Sequence, residues 1–509
     1  MFKKPAKVYS ATVVGLDARL VEVEADTSRG LVRFNIVGLP DIAVQEAKER
    51  VRSGIKNSGF DFPPGAVTIN LAPADLKKEG PRFDLPIAVA ILMARGELRS
   101  PDKIHKKLFI GELSLHGRLR PVSGVLPIAM AAKKNGIEEL YLAAKNAKEA
   151  SLVKGIKIFP VDELEQLVEH LRGRQVIGSY VGINEPTQPE PENLSDMSSI
   201  RGQEQAKRAL EIAAAGGHNV LMTGPPGSGK TLLARTMPTI LPSMTFDESL
   251  EVTKIYSVSG RLSAREPMVR TRPFRSPHHT ISSVALVGGG SFPKPGEISL
   301  AHRGVLFLDE FSEFSRLALE SLRQPLEDGV VTVSRAAGSV EFPARFTLVA
   351  ARNPCPCGYL NDQRQACTCS PHQIIRYQKK ISGPLLDRID IHIVVPRLEY
   401  EKISAAAGGE TSRAIRQRVA SARQRQSKRF FSTSIVANAE MGIREIDNNC
   451  RLSPPSREFL KKAVNQFYLS ARAYHRVLKV ARTIADLAGE EEITTAHLAE
   501  SLQYRPQME

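Results

Sequence analysis

"GPPGSGKT", Gly224–Thr231, is the stretch that decides the fold of this chain. It follows a short apolar run, "HNVLMTG" (His218–Gly224), and it fits the pattern G-x-x-x-x-G-K-[ST]. Glycines in such a loop let successive backbone N–H groups point inward at an anion. The helix expected after it turns its positive end to the same place. Gly224, Gly227, Ser228 and Gly229 would form the cradle, Lys230 would reach the outer phosphates, and the Thr231 hydroxyl would hold Mg²⁺.

Two further apolar runs have the same build. "GVLFLDEF" (Gly304–Phe311) and "FTLVAARN" (Phe346–Asn353) are strands that end in polar residues, with helical segments between. Short, fully apolar strands alternating with helices predict a parallel sheet covered on both faces. Ligands of such sheets bind beyond the carboxyl ends of the strands. Asp309, on a neighbouring strand, is expected to hold Mg²⁺ through water. Glu310 would polarise the attacking water, and Asn353 would reach the γ-phosphate or that water. Together "GPPGSGKT", "VLFLDE" and "FTLVAARN" resemble Walker A, Walker B and sensor 1 of AAA+ ATPases.

That resemblance extends to two arginines. Arg388 in "SGPLLDRIDIHI" matches the segment carrying the arginine finger in the chelatase and helicase branch, which implies a ring whose subunits complete one another's sites. Arg472 in "SARAYHRVLKVARTIADLAG" is the better match to sensor 2, with Arg476 one turn on. "RPFRSPHHTISSVALVGGGSFPKPGEISLAHRG" (Arg272–Gly304) resembles the helix-2 insertion of that branch. A paired histidine in a loop without nearby acids or cysteines, such as His278–His279, is more often structural than metal-binding. "VVTVSRAAGSVEFPARF" (Val330–Phe346) alternates, turns and alternates again, which predicts a β-hairpin with Arg335 near its tip.

Four of the five cysteines crowd into "NPCPCGYLNDQRQACTCS" (Asn353–Ser370). Cys355, Cys357, Cys367 and Cys369 can close a tetrahedral Zn²⁺ site that fixes the loop behind Asn353, and redox sensing is the alternative. Cys450 is expected to be a lone core thiol.

The N-terminal part has another likeness. "KKEGPRFDLPIAVAIL" and "GELSLHGRLRPVSGVLPIAMAAKKNG" are similar to the proteolytic domain of Lon, an S5-type α+β fold. Arg82 stands where that family has its serine and Leu126 where it has its lysine, so the likeness implies the fold without the protease. "GSYVGINEPTQPEPENLSDMSS" reads as a linker. The expected organisation is multidomain α/β: a Lon-like domain at 1–177, a linker at 178–199, an AAA+ P-loop domain at 200–404 and a helical lid domain at 405–509. This order resembles the bacterial ComM/YifB family of magnesium-chelatase-like proteins. The resemblance implies a homo-hexameric DNA motor driving branch migration; the alternative is a motor subunit that remodels a protein partner.

Charge agrees with a polyanionic partner. The 509 residues carry a net +15. "SRAIRQRVASARQRQSKR" (Ser412–Arg429) holds seven Lys and Arg and no acid, and its Arg416 and Arg423 are candidate phosphate contacts with Arg335. No apolar run reaches the roughly 18 residues of a membrane span. The clustered cysteines do not make a disulfide framework, so a reducing cytoplasm is expected.

Overall fold

The computed structural model describes residues 5–98, 103–182, 195–263, 266–290, 293–335, 338–398, 409–433 and 435–506. Contacts divide the chain into two units, Met1–Thr187 with Ser249–Val269, and Gln188–Glu248 with Arg270–Glu509. The helical residues expected to form a separate lid domain cluster with the P-loop unit. The Ser249–Val269 segment, expected within the central domain, clusters with the first unit. Of the expected linker, residues 183–194 lie outside the described residues.

The first unit is built on a seven-stranded mixed sheet. Its strands are β1 (Ala6–Val14), β2 (Asp17–Ser28), β3 (Arg33–Val37), β4 (Ala66–Ala72), β5 (Lys107–Phe109), β6 (Glu139–Ala143) and β7 (Lys157–Val161), in the order β3-β4-β2-β1-β5-β6-β7. The helices packed on it include α1 (Ile42–Asn57), α2 (Asp84–Arg95) and α3 (Val125–Lys134). Helix α2 is apolar nearly all round and buried, as its sequence "DLPIAVAILMAR" requires. Its buried Asp84 is held by Arg50 Nε at 2.7 Å, while burial raises its carboxyl to about 6. Arg82 and Leu126 are both buried, and Leu126 donates its N–H to Glu149 Oε1 at 2.8 Å.

The second unit contains a five-stranded, all-parallel sheet. Its strands are β8 (Val220–Thr223), β9 (Phe274–Arg275), β10 (Val305–Leu308), β13 (Thr347–Arg352) and β14 (Ile391–Val394), in the order β9-β10-β13-β8-β14. Strand β10, which leads to Asp309, is not the neighbour of β8; β13 lies between them. Helices α4 (Glu204–Gly216) and α5 (Lys230–Ile240) flank this sheet. The expected hairpin is present as β11 (Val330–Arg335) and β12 (Gly338–Pro343), with Arg335 paired to Gly338. The two tip residues, 336 and 337, and the Arg335 side chain lie outside the described residues. Part of the expected insertion joins the parallel sheet, since its Phe274–Arg275 forms the edge strand β9.

The basic helix is tied to its neighbours. Helix α7 (Ser412–Arg429) buries Ile415, Val419 and Ala422 as its spacing predicts, and five of its seven cations, Arg416, Arg418, Arg423, Arg425 and Arg429, have partners within the protein. Arg416 Nε donates to Thr239 O, near the end of α5, at 2.8 Å. Arg423 donates to Ala214 O, at the end of α4, at 3.0 and 3.2 Å. Arg425 donates to Asp486 O, near the end of α8 (Ala471–Ala488), at 2.6 Å. Gln426 Nε2 donates to Ala215 O at 2.9 Å. The last carbonyls of a helix lack intrahelical partners and carry its negative pole, so these arms satisfy three helix ends at once. Arg418 pairs with Glu211 at 2.6 Å and with Glu410, and Arg429 pairs with Asp486. Burial, then repulsion from Arg272, lowers the Arg423 guanidinium to about 10.

Arg416 and Arg423, both half-buried, thus spend guanidinium N–H groups on helix-end carbonyls. Among the described residues, Arg413, Arg425 and Lys428 are the exposed cations of this helix, and Arg425 gives one N–H to Asp486 O. Replacing Arg423 with alanine is expected to destabilise the second unit by about 1–3 kcal/mol. Thermal melting of the parent and variant chains checks this, and an unchanged melting temperature would remove Arg423 from the packing.

Candidate nucleotide site

The site begins where β8 ends. The chain turns through Gly224–Gly229 and enters α5 at Lys230. Gly224 is needed for space: a Cβ there would stand 2.2 Å from Val395 O. Gly229 is needed for conformation, with φ at +90° and open space around it.

Lys230 is 8% exposed. Its Nζ donates to Gly224 O and Pro225 O, both at 2.8 Å. Ser228 Oγ lies at 3.4 Å and Asn353 Oδ1 at 3.5 Å from the same nitrogen. Burial pulls the ammonium below its usual range, and the Asp309 charge opposes this. Thr231 Oγ1 donates to Asp309 Oδ2 at 2.7 Å, and Glu310 N–H donates to Asp309 Oδ1 at 2.9 Å. The loop, both acids and Asn353 expected from three separate strands thus meet in one place. Sequence order alone could not show that β13 carries Asn353 between the other two.

Glu310 has φ at +50°, a left-handed backbone seldom taken by a residue with a side chain. Its carboxylate is 54% exposed, with Oε2 2.9 Å from His279 Nδ1. The His278 and His279 rings stand 4.1 Å apart, and His278 Nδ1 lies 2.9 Å from Thr280 Oγ1. Sequence reading missed His279. Its signal was its position, four residues beyond the strand paired to β10, which puts it at the same end of the sheet as Glu310.

The four cysteine sulfurs gather directly behind Asn353. All lie within 4.8 Å of one another. Cys355 Sγ is 3.4 Å from Cys357 Sγ and 3.7 Å from Cys367 Sγ, and Cys357 and Cys367 are 3.5 Å apart. None is in a disulfide. Backbone N–H groups of Tyr359 and Thr368 hold the Cys357 thiol down at about 5. Four thiol ligands at these separations form a possible metal-binding cluster. Cys450 is a buried thiol in the packing of the C-terminal helices, as expected.

Arg388 and Arg472 are not at this loop. Arg388 O accepts from Asn219 Nδ2 at 2.9 Å, and Asn219 immediately precedes β8. Arg388 is therefore at the amino end of the sheet, and the phosphate loop leaves the carboxyl end. A four-residue strand spans roughly 13 Å. The Arg388 guanidinium pairs with Glu327 and donates to Pro384 O at 2.7 Å. Arg472, 70% exposed, lies 3.6 Å from Asp387. Arg476 is buried and donates to Asp387 O at 2.7 Å, so of the two sensor 2 matches Arg472 is the exposed one.

Known proteins share this organisation. Family models described as magnesium chelatase subunit ChlI, the subunit ChlI of Mg-chelatase and the ChlI C-terminal region match residues 196–403, 23–146 and 409–505. The competence protein ComM of Haemophilus influenzae is 47% identical over 98% of this chain and 97% of its own. An uncharacterized protein of Mycobacterium tuberculosis is 44% identical, covering 98% of each chain. The uncharacterized YifB of Escherichia coli is 43% identical over 98% of this chain and 96% of its own. Similarity at this level along the whole length, with a phosphate loop, two acids and a polar strand end converging as described, leaves one assignment: the chain belongs to the ComM/YifB family of magnesium-chelatase-like AAA+ ATPases.

Proposed function

We propose that this chain is the subunit of a homo-hexameric motor that couples ATP hydrolysis to movement along single-stranded or branched DNA, with branch migration of recombination intermediates as its task. The observation that carries the reading is the distance of Arg388 from its own phosphate loop. An arginine finger placed a strand length away can serve only a neighbour, so each site needs two subunits. The competence relative supports DNA as the track.

The chain's own groups fit ATP and Mg²⁺. Thr231 and Asp309 offer a hydroxyl and a carboxylate 2.7 Å apart, the hard oxygen donors this ion takes. Bound there, Mg²⁺ would neutralise charge on the phosphates. Lys230 shifts from loop carbonyls to phosphate oxygens, Asn353 fixes the outer end, and Glu310 orients the attacking water. We read the first unit as Lon-like in fold with no protease chemistry, because Arg82 and Leu126 are buried and neither can act as nucleophile or base. The four-cysteine cluster we assign to Zn²⁺. Its free thiols suit a reducing cytoplasm, and among the described residues no helix is long and apolar enough to cross a membrane.

In this reading the DNA surface comprises the β11–β12 hairpin with Arg335 and the basic helix, with its exposed Arg413, Arg425 and Lys428 and its half-buried Arg416 and Arg423. ATP turnover should rise with single-stranded or branched DNA of any sequence. Log affinity should fall with log salt at roughly 0.7–0.9 per neutralised phosphate. Intact ATP-bound rings whose turnover ignores every DNA offered at low salt would favour the second reading. That reading, a motor remodelling a protein partner, is supported by the match of all three family models to a chelatase subunit.

A further inference from the structure

We infer that Cys355, Cys357, Cys367 and Cys369 bind one Zn²⁺ per chain, and that this clasp holds the phosphate loop and Asn353 in place, so that nucleotide affinity depends on zinc. The inference rests on the ATPase reading above and adds a structural cofactor to its binding step.

Geometry selects the metal. Four ligands 2.3 Å from a tetrahedral centre stand about 3.8 Å from one another. The separations of 3.4, 3.5 and 3.7 Å are close to that edge. They are far beyond the roughly 2.05 Å of a disulfide. Cys357 N–H points at Cys369 Sγ at 3.3 Å, a donor aimed at a sulfur that carries charge when it ligates. Four sulfurs and no open position suit a closed structural zinc site.

The surroundings give the clasp a task. Residues 353–370 contain no helix or strand, so backbone ladders do not hold them. Yet this stretch leans on the nucleotide site at both ends. At one end Cys355 is two residues from Asn353. Gly358, with φ at +85°, lies so close to the phosphate loop that a Cβ would stand 2.7 Å from Pro226 Cδ and 3.8 Å from Asn353 Cγ. At the other end Ser370 caps the helix α6 (Pro371–Gln378) by accepting from Gln373 N–H. That helix buries Tyr377 against Ser312, and Lys380 Nζ pairs with Glu313 Oε2 at 2.9 Å. Ser312 and Glu313 belong to the turn that begins at Glu310. A tetrahedral ion therefore ties together the backing of Pro226, the sensor residue and the support of the Glu310 turn. Removing it frees the chain between them, and the cost of ordering that chain again falls on nucleotide binding.

The test uses the full-length protein. Metal analysis should give one zinc per chain, released in step with titration of the clustered thiols by a mercurial. Protein stripped of zinc, with its helix content checked by circular dichroism, should bind a fluorescent ATP analogue about 10-fold or more weakly. Adding Zn²⁺ back should restore the affinity. Cys367→Ser should copy the stripped protein, and Cys450→Ser should keep both zinc and affinity. Well under one zinc per chain with all clustered thiols freely alkylated overturns the metal site, as does iron in its place. Equal affinity in loaded and stripped protein overturns the coupling while the site stands. Zinc-loaded protein that binds no nucleotide overturns the coupling together with the ATP-site reading.

Discussion

Glu310→Gln binds ATP as tightly as the parent chain and turns it over at least about 100-fold more slowly. The two halves of this expected result come from different atoms. Affinity resides in the loop, in Lys230 on Gly224 O and Pro225 O, and in the Thr231–Asp309 pair. None of these contacts involves the Glu310 carboxylate, which meets His279 Nδ1 at 2.9 Å. Glutamine keeps the shape and one acceptor for His279. It loses the charge that polarises a water molecule, so binding survives and chemistry slows. Lys230→Ala should instead lose binding, because no other ammonium stands inside the loop among the described residues. Steady-state turnover and equilibrium nucleotide binding, measured on both variants, separate the cases. Turnover of Glu310→Gln near the parent rate would remove Glu310 from the mechanism.

The nucleotide site was legible because each of its strands is a short apolar run ending in the residue that acts. "VLMTG", "LFLDE" and "VAARN" announce both a buried parallel strand and its polar terminus. Less legible was anything set by packing between distant segments. Strand β9 has two residues, flanked by Pro273 and Pro277, too few for a pattern of its own. The position of β13 between β8 and β10 follows from chain crossings that no run of residues encodes. The partners of helix α7 were hidden for a specific reason. Its arginines look like a solvated cationic face, yet Arg416 and Arg423 donate to carbonyls of helices 177 and 209 residues earlier in sequence, and Arg425 and Arg429 reach Asp486 in a later helix. Long guanidinium arms can serve water or a helix end equally well by composition. His279 was read as structural for want of acids nearby in sequence, and its acid, Glu310, is 31 residues on, at the same end of the sheet.

The separation of Arg388 from its own loop yields the sharpest test of the assembly. Arg388→Ala should bind ATP normally and lose turnover by about 10³-fold or more, the usual loss when a finger is removed. A normal ATP affinity is expected because the side chain sits beyond the amino end of β8, on Glu327 and Pro384 O, and no loop residue depends on it. Lys230→Ala fails for the opposite reason, with an intact arginine and a broken cradle. Mixed one to one, the two inactive proteins should regain activity. An Arg388→Ala subunit contributes a sound loop, and a Lys230→Ala neighbour contributes a sound finger. Random assembly in a closed ring completes about a quarter of the interfaces, so turnover of the mixture should approach about a quarter of the parent value. If the finger served its own chain, each subunit in the mixture would lack either its lysine or its arginine, and no site would be complete. Sedimentation shows whether mixed rings form. Rings that form and stay inactive would place the arginine's partner within its own subunit, against the geometry of β8.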